Sequence, residues 1–143
     1  MSTLAVAIAI AATGFQNKTD KAGEPYILHC LRVMNNLHTR DKELQSIAVL
    51  HDCIEDNVCT FAELKELHKF SDRVLRGVWS LTHQKNVDYM QYIKALSHNE
   101  DARLVKLADL KDNSDITRLK GLTKADFERM EKYHTAYTYL SKI

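Results

Sequence analysis

Proline occurs once in this chain and glycine four times, and these are the residues that punctuate turns and strand ends. Stretches that alternate apolar and polar residues are scarce as well. Together these absences argue against a hairpin-rich β-fold. No apolar run reaches the roughly 18 residues that a membrane-spanning helix needs. The longest, within "MSTLAVAIAIAATGF", has no Lys or Arg ahead of it and so also lacks the basic flank of a secretory signal. It is read instead as a buried first helix. Cysteine is limited to Cys30, Cys53 and Cys59, an odd count without CxxC spacing. That argues against a disulfide framework and fits a reducing cytoplasm. Charge of either sign in excess is missing too, with Lys+Arg 20 against Asp+Glu 19. No global basic field points to nucleic acid, no acidic tail is present, and no membrane association is expected. What remains open is a small anion held by local basic groups.

The residues that are plentiful, Leu, Ala, Lys and Glu, are helix formers. At 143 residues the chain suits one compact domain with a core of its own, and no linker or repeat divides it. The expectation is an all-α bundle of about seven to eight helices, one domain over 1–143. The first is placed at about Thr3 to Gly14, followed by the polar loop "QNKTDKAGEP". The second starts at Pro25, a favourable first-turn residue, and runs to about Leu37. The third covers Asp41 to about Glu55. Thr60 opens a short helix to Leu67, with Glu63 completing a capping box. Ser71 opens another that ends near Leu81. Three more follow at about Val87–Leu96, Asp101–Ile116 and Thr123–Ser141, the last two separated by Gly121.

The third helix carries "VLHDCIEDN" directly after an apolar stripe of Leu44, Ile47 and Leu50. His51 follows Ile47 by four residues and falls on the core side. Asp52 adjoins it, and Glu55 and Asp56 come one turn later. A His–Asp pair alone is ordinarily a helix end meeting solvent. Two further stretches change that reading. In "GEPYILHCLRVM", His29 sits in an apolar surround. In "RLVKLADLKDN", Lys106, Asp109 and Asn113 share one helical face by their i, i+3, i+7 spacing. Burying unpaired carboxylates is costly, and a cation removes that cost. Two imidazoles and two carboxylates, His29, His51, Asp52 and Asp109, form a mixed N/O set that suits Mn²⁺, Fe²⁺ or Zn²⁺ better than Ca²⁺. Open coordination positions would make such a site catalytic rather than structural.

The separated H…HD…D pattern resembles that of HD-domain metal-dependent phosphohydrolases. More closely, "DKAGEPYILHCLRVM", "AVLHDCIEDN" and "VKLADLKDN" resemble, in order, the motifs of RelA/SpoT-type hydrolase domains, with the small stand-alone alarmone hydrolases nearest in size. The resemblance spans nearly the whole chain, and its HDxxED form flanked by GxPYxxH and KLADxxxN is specific. It implies an α-helical, cytoplasmic enzyme of the stringent response. Such an enzyme removes pyrophosphate from the 3′ position of (p)ppGpp, usually with one Mn²⁺ per chain, with Fe²⁺ or Zn²⁺ less favoured. By the same resemblance His29, His51, Asp52 and Asp109 match the metal ligands. Glu55 and Asp56 match the acid pair that handles the attacking water. Lys21 and Asn113 match positions that contact the nucleotide. The chemistry fits: Lys106 and Lys21 would neutralise phosphate charge, and a carboxylate near the water would orient it or take its proton.

Departures carry expectations of their own. Many longer relatives have an arginine immediately before the first-loop lysine, where it helps hold guanine. Asp20 stands there in this chain, and an acid cannot stack as a guanidinium does. Weak base contact and relaxed selectivity between ppGpp and ppApp are the expectation. Two alternatives stay open beside the leading one. The first is the same chemistry on another phosphorylated nucleotide or cofactor, such as ppApp or NADPH. The second is a non-catalytic helical binding protein that keeps the fold. Homo-oligomerisation is open as well. The aromatics Trp79, Tyr89, Tyr92, Tyr137 and Tyr139 are read as core or helix-surface residues rather than a stacking platform.

Overall fold

The computed structural model describes residues 2–143, so Met1 of the expected 1–143 domain lies outside it. Seven α-helices form the body: α1 (Leu4–Gly14), α2 (Tyr26–Asn36), α3 (Lys42–Leu50), α4 (Asp72–Leu81), α5 (Tyr89–Leu96), α6 (Glu100–Asn113) and α7 (Lys124–Ser141). A π-helical turn at Glu63–Leu67 and a 3₁₀ turn at Ile116–Arg118 complete the helical segments. The described residues contain no strand, only an isolated bridge between Thr19 and Pro25. The all-α architecture expected from composition is what forms.

The helices begin where short polar side chains can take up the free N–H groups of a first turn. Asp41, Ser71, Asp88, Asn99 and Thr123 each accept a backbone N–H at the start of α3 to α7 in turn. Thr60 and Glu63 form the expected capping box, at 2.9 and 3.1 Å. Beyond it the helix widens, because His68 N–H bonds the Glu63 carbonyl five residues back.

α3 is the centre. It packs against α1, α2, α4 and α6, and Leu44 and Ser46 to Leu50 are buried. A helix that is apolar nearly all round belongs inside. α4 comes close to it through Gly77, where a Cβ would lie 2.6 Å from Ile47 Cδ1. α1 lies on α3 through the small residues Ala7 and Ala11, with its other alanines in solvent, so only one of its faces is buried. α6 crosses α2, α3 and α4 and is covered by α7.

One boundary differs where it matters. The third helix was expected to run to about Glu55 but stops at Leu50. The His51 ring lies 2.6 Å from the Ala48 carbonyl, the acceptor that the Asp52 N–H would use in a continuing helix. Residues 51–57 instead form successive turns, closed by Asn57 in the left-handed region (φ 59°). The HDxxED stretch therefore sits on an irregular turn rather than a helix face. α6 likewise ends at Asn113 instead of Ile116, and the 3₁₀ turn follows.

Candidate metal centre

The loop after α1 reverses tightly. Asp20 N–H bonds the Glu24 carbonyl at 2.8 Å, and Tyr26 N–H bonds the Lys18 carbonyl at 2.9 Å. This delivers Tyr26 and His29, in the first turns of α2, against the turn that follows α3. There His29, His51 and Asp52 place one donor atom each within 4.8 Å of one another. Asp109, from the middle of α6, closes the set. Its Oδ1 is 3.1 Å from His29 Nε2 and 3.4 Å from His51 Nε2. Asp52 Oδ2 is 3.0 Å from His51 Nε2 and 3.8 Å from His29 Nε2. All four residues expected from the sequence thus meet at one point.

The tautomers are fixed from behind. His29 Nδ1 is 2.7 Å from Asp112 Oδ2, and His51 Nδ1 is 2.6 Å from the Ala48 carbonyl. Both acceptors demand a proton on Nδ1. In the neutral rings each Nε2 then carries its lone pair into the centre, and both Nε2 atoms are buried without a hydrogen-bond partner. Buried polar atoms are almost always paired. Two orphaned imidazole nitrogens facing two carboxylates are what a divalent cation would join, so the donor set fits a metal.

The charges around the centre are strongly coupled. Burial favours neutral forms here, but it is outweighed. Lys106 and the histidines hold Asp109 well below the usual carboxylate range, and His51 holds Asp52 at about 2. Burial likewise opposes charge on the imidazoles. Asp109 and Asp112 outweigh it at His29, and Asp52 and Asp109 outweigh it at His51, so both pKa values are raised. The carboxylates demand positive charge at this point, which a proton or a cation can supply. Tyr26 donates its hydroxyl to Asp52 Oδ2 at 2.5 Å. Burial and Asp52 push that phenol up, so it remains a donor.

The other expected residues are spread around this core. Glu55 and Asp56 lie on the exposed turn beyond Asp52. Glu55 Oε1 accepts the His83 N–H at 2.8 Å, and Asp56 Oδ2 accepts Lys18 Nζ at 2.7 Å. Partial desolvation of its carboxyl, with the Asp52 carboxylate nearby, raises the Glu55 pKa even on this exposed turn. A cavity of about 370 Å³ is lined by His29 and Tyr26 together with Lys18, Lys21, Asn113, Arg118, Arg129 and Tyr133. Lys21 and Asn113 are therefore brought to the site, and the Asn113 amide also donates to Asp109 Oδ1 at 3.0 Å. Lys106 is not on that wall. Its Nζ bonds Asp109 Oδ2 at 2.9 Å and lies over the Tyr92 ring, with its side chain 13% exposed.

Asp20 does not offer the cavity a free acceptor, contrary to the sequence-based expectation. Oδ1 takes the N–H groups of Ala22 and Glu24 at 2.9 and 3.0 Å, and Oδ2 takes Arg118 Nη1 at 3.1 Å. A cation thus stands beside position 20 after all, delivered from a distant part of the chain. Sequence reasoning passed over Tyr26, Lys18, Arg118 and Asp112. Asp112 had a local signal, because it follows Asp109 by three residues on the same helix and so shares its face. The partners of Arg118 and Tyr26 lie far away in sequence, and spacing could not have shown them.

No family model matches the chain. Among curated proteins, the guanosine-3′,5′-bis(diphosphate) 3′-pyrophosphohydrolase of Aquifex aeolicus is 34% identical over 103 residues, 65% of this chain and 14% of that protein. The guanosine-3′,5′-bis(diphosphate) 3′-pyrophosphohydrolase MESH1 of Danio rerio is 35% identical over 103 residues, 66% of this chain and 56% of its own length. The chain therefore spans little of the first relative and about half of the second. A solved structure described as a metazoan ortholog of SpoT that hydrolyses ppGpp has a TM-score of 0.77 at 21% identity, covering 96% of this chain and 84% of that one. That likeness shows a common fold.

Proposed function

We propose that this homologue of the guanosine-3′,5′-bis(diphosphate) 3′-pyrophosphohydrolases is itself a metal-dependent phosphohydrolase, acting as one domain on the 3′-pyrophosphate of (p)ppGpp-type alarmones. The products are GDP or GTP and pyrophosphate. The observation that carries this reading is the pair of buried, partnerless Nε2 atoms of His29 and His51, directed at Asp52 and Asp109. The cavity that opens beside them, with Lys18, Lys21 and Asn113 on its wall, supports an anionic nucleotide as the substrate.

His29, His51, Asp52 and Asp109 would hold one divalent ion, with Mn²⁺ the preferred metal for this N/O set. When bound, such an ion supplies Lewis acidity toward a phosphoryl oxygen and makes a water more acidic. The reaction joins a water oxygen to the phosphorus on O3′ and breaks the P–O3′ bond, and O3′ gains a proton. Glu55 would take the proton of the attacking water. One of its oxygens is committed to the His83 N–H and Oε2 is left for the water, while its raised pKa moves it toward working pH. Asp56, tied to Lys18, orients the water from the next position. Lys21 and Asn113 bind phosphate and ribose from the cavity wall. Lys106 holds Asp109 ionised and in place.

The test is a product-release screen with Mn²⁺ over ppGpp, pppGpp, ppApp, NADPH and ordinary nucleotides, alongside metal analysis of the purified protein. Pyrophosphate and GDP or GTP from the guanosine alarmones are expected. Release from NADPH alone would reassign the substrate. A protein that binds no metal and releases nothing would be a binding protein on the same fold.

A further inference from the structure

The two imidazoles of the centre are held by different kinds of partner. His51 Nδ1 faces a neutral backbone carbonyl, that of Ala48. His29 Nδ1 faces a buried carboxylate, Asp112, at 2.7 Å. That carboxylate is itself clamped. Arg32 Nε donates to Oδ1 at 2.8 Å and Arg32 Nη2 to Oδ2 at 3.2 Å. Arg118 Nη2 donates to the Asp112 backbone carbonyl at 3.1 Å. Both arginines also reach Asp20 Oδ2, at 3.7 and 3.1 Å. Two guanidinium groups and two carboxylates thus form a charge-balanced cluster behind the metal centre. It ties the first loop, α2 and the end of α6 together.

We propose that Asp112 is the positioning residue of this centre. It holds His29 with its proton on Nδ1 and turns Nε2 toward the metal position, and the proposal rests on the metal reading above. The physical reason is direct. A neutral imidazole that donates Nδ1–H to an anion presents a bare Nε2, as a metal requires, and the anion pushes electron density toward it. A carbonyl does the first but much less of the second, so His29 is the stronger donor of the pair. Arg32 and Arg118 serve by keeping Asp112 from swinging away. The sequence placed Asp112 in no role. Its spacing from Asp109 now has a meaning, since one face of α6 supplies both a ligand and the group that orients another ligand.

The competing explanation is structural: Asp112 only pins α6 to α2 through Arg32. Asp112→Asn and Arg32→Gln both remove that ion pair, but only the first removes the anion behind His29. Mn²⁺ affinity by titration calorimetry and the melting temperature of the metal-free protein separate the two ideas. Asp112→Asn should weaken Mn²⁺ binding by about 10–100-fold, well beyond any effect of Arg32→Gln, even where the two metal-free proteins melt alike. Equal weakening in both, in step with lost stability, would overturn the proposal. So would wild-type affinity in Asp112→Asn. Should that variant not fold, the wild type decides alone. Long-range ¹H–¹⁵N spectra of the Zn²⁺-loaded protein should show His29 protonated at Nδ1, and an Nδ1 without its proton would overturn the assignment. Failure of the wild type to take up Mn²⁺ or Zn²⁺ at all would instead remove the metal reading itself.

Discussion

At the scale of single residues, Asp20 shows how far a side chain's meaning depends on its partners. Read in sequence it is an acid in place of a cation. In the fold its carboxylate is bonded to two N–H groups and to Arg118, with only 9% of the side chain exposed. Asp20→Arg would set a third guanidinium against Arg118 and Arg32 and strand the loop N–H groups. It should cost about 2–4 kcal/mol, approaching the roughly 3–5 kcal/mol of a broken buried pair because Arg118 is partly exposed. Urea denaturation measures this, and KM for ppGpp should rise rather than improve. The acid pair is likewise not symmetric. Glu55→Gln should lower kcat by about two orders of magnitude or more, the usual scale for a proton-transfer group. Asp56→Asn, whose carboxylate is paired with Lys18 near the surface, should have a smaller effect. Metal content should be unchanged in both, and equal kcat losses would contradict the ranking.

At the scale of elements, the starts of helices were legible, and so were the ends of α1, α4, α5 and α7, but the ends of α3 and α6 were not. Asp41, Ser71 and Thr123 announce α3, α4 and α7 because a cap is a local contact between a side chain and an N–H two or three residues on. The end of α3 depends on His51 turning its ring back onto the Ala48 carbonyl, which no spacing rule encodes. The ligand set was legible for a similar reason. His51, Asp52 and Asp109 are polar residues on otherwise apolar stripes, a local anomaly, whereas Tyr26 and Arg118 look ordinary until the fold brings Asp52 and Asp20 beside them. The approach of α4 to α3 was also invisible, since Gly77 lies within a helix where glycine is normally unfavourable. Gly77→Ala gains about 1 kcal/mol of helix propensity. It also drives a methyl to 2.6 Å from Ile47 Cδ1, in a core where Ile47 is fully buried. Overpacking of this kind costs about 1–3 kcal/mol. The expected result is a net loss of about 1 kcal/mol of unfolding free energy from urea denaturation, and a stabilised variant would show that Ile47 has room to move.

At the scale of the whole molecule, the centre is a junction of three separate elements. α2, the turn after α3, and α6 each bring part of the donor set, and the apolar core around α3 holds them in register. Among the ligand carboxylates Asp52 and Asp109, Lys106 offsets one negative charge. The other leans on His51 and on the Tyr26 hydroxyl, and a buried carboxylate needs such partners or a cation. A dication would reverse the sign of the centre and make it attractive to a pyrophosphate. Because unfolding scatters the ligands, the metal binds the folded chain and should stabilise it by mass action, about 2.7 kcal/mol when free metal exceeds Kd a hundredfold. At roughly 2–4 °C per kcal/mol for chains near this size, Mn²⁺ should raise the melting temperature by about 5–10 °C over protein held in EDTA. His51→Ala removes a ligand that lies within 3.4 Å of both carboxylates, so it should lose the bound metal and most of that increment together. Melting curves of wild type and His51→Ala, each with Mn²⁺ and with EDTA, check this directly. An equal Mn²⁺-dependent shift in the two proteins would place the ion somewhere other than between His29, His51, Asp52 and Asp109.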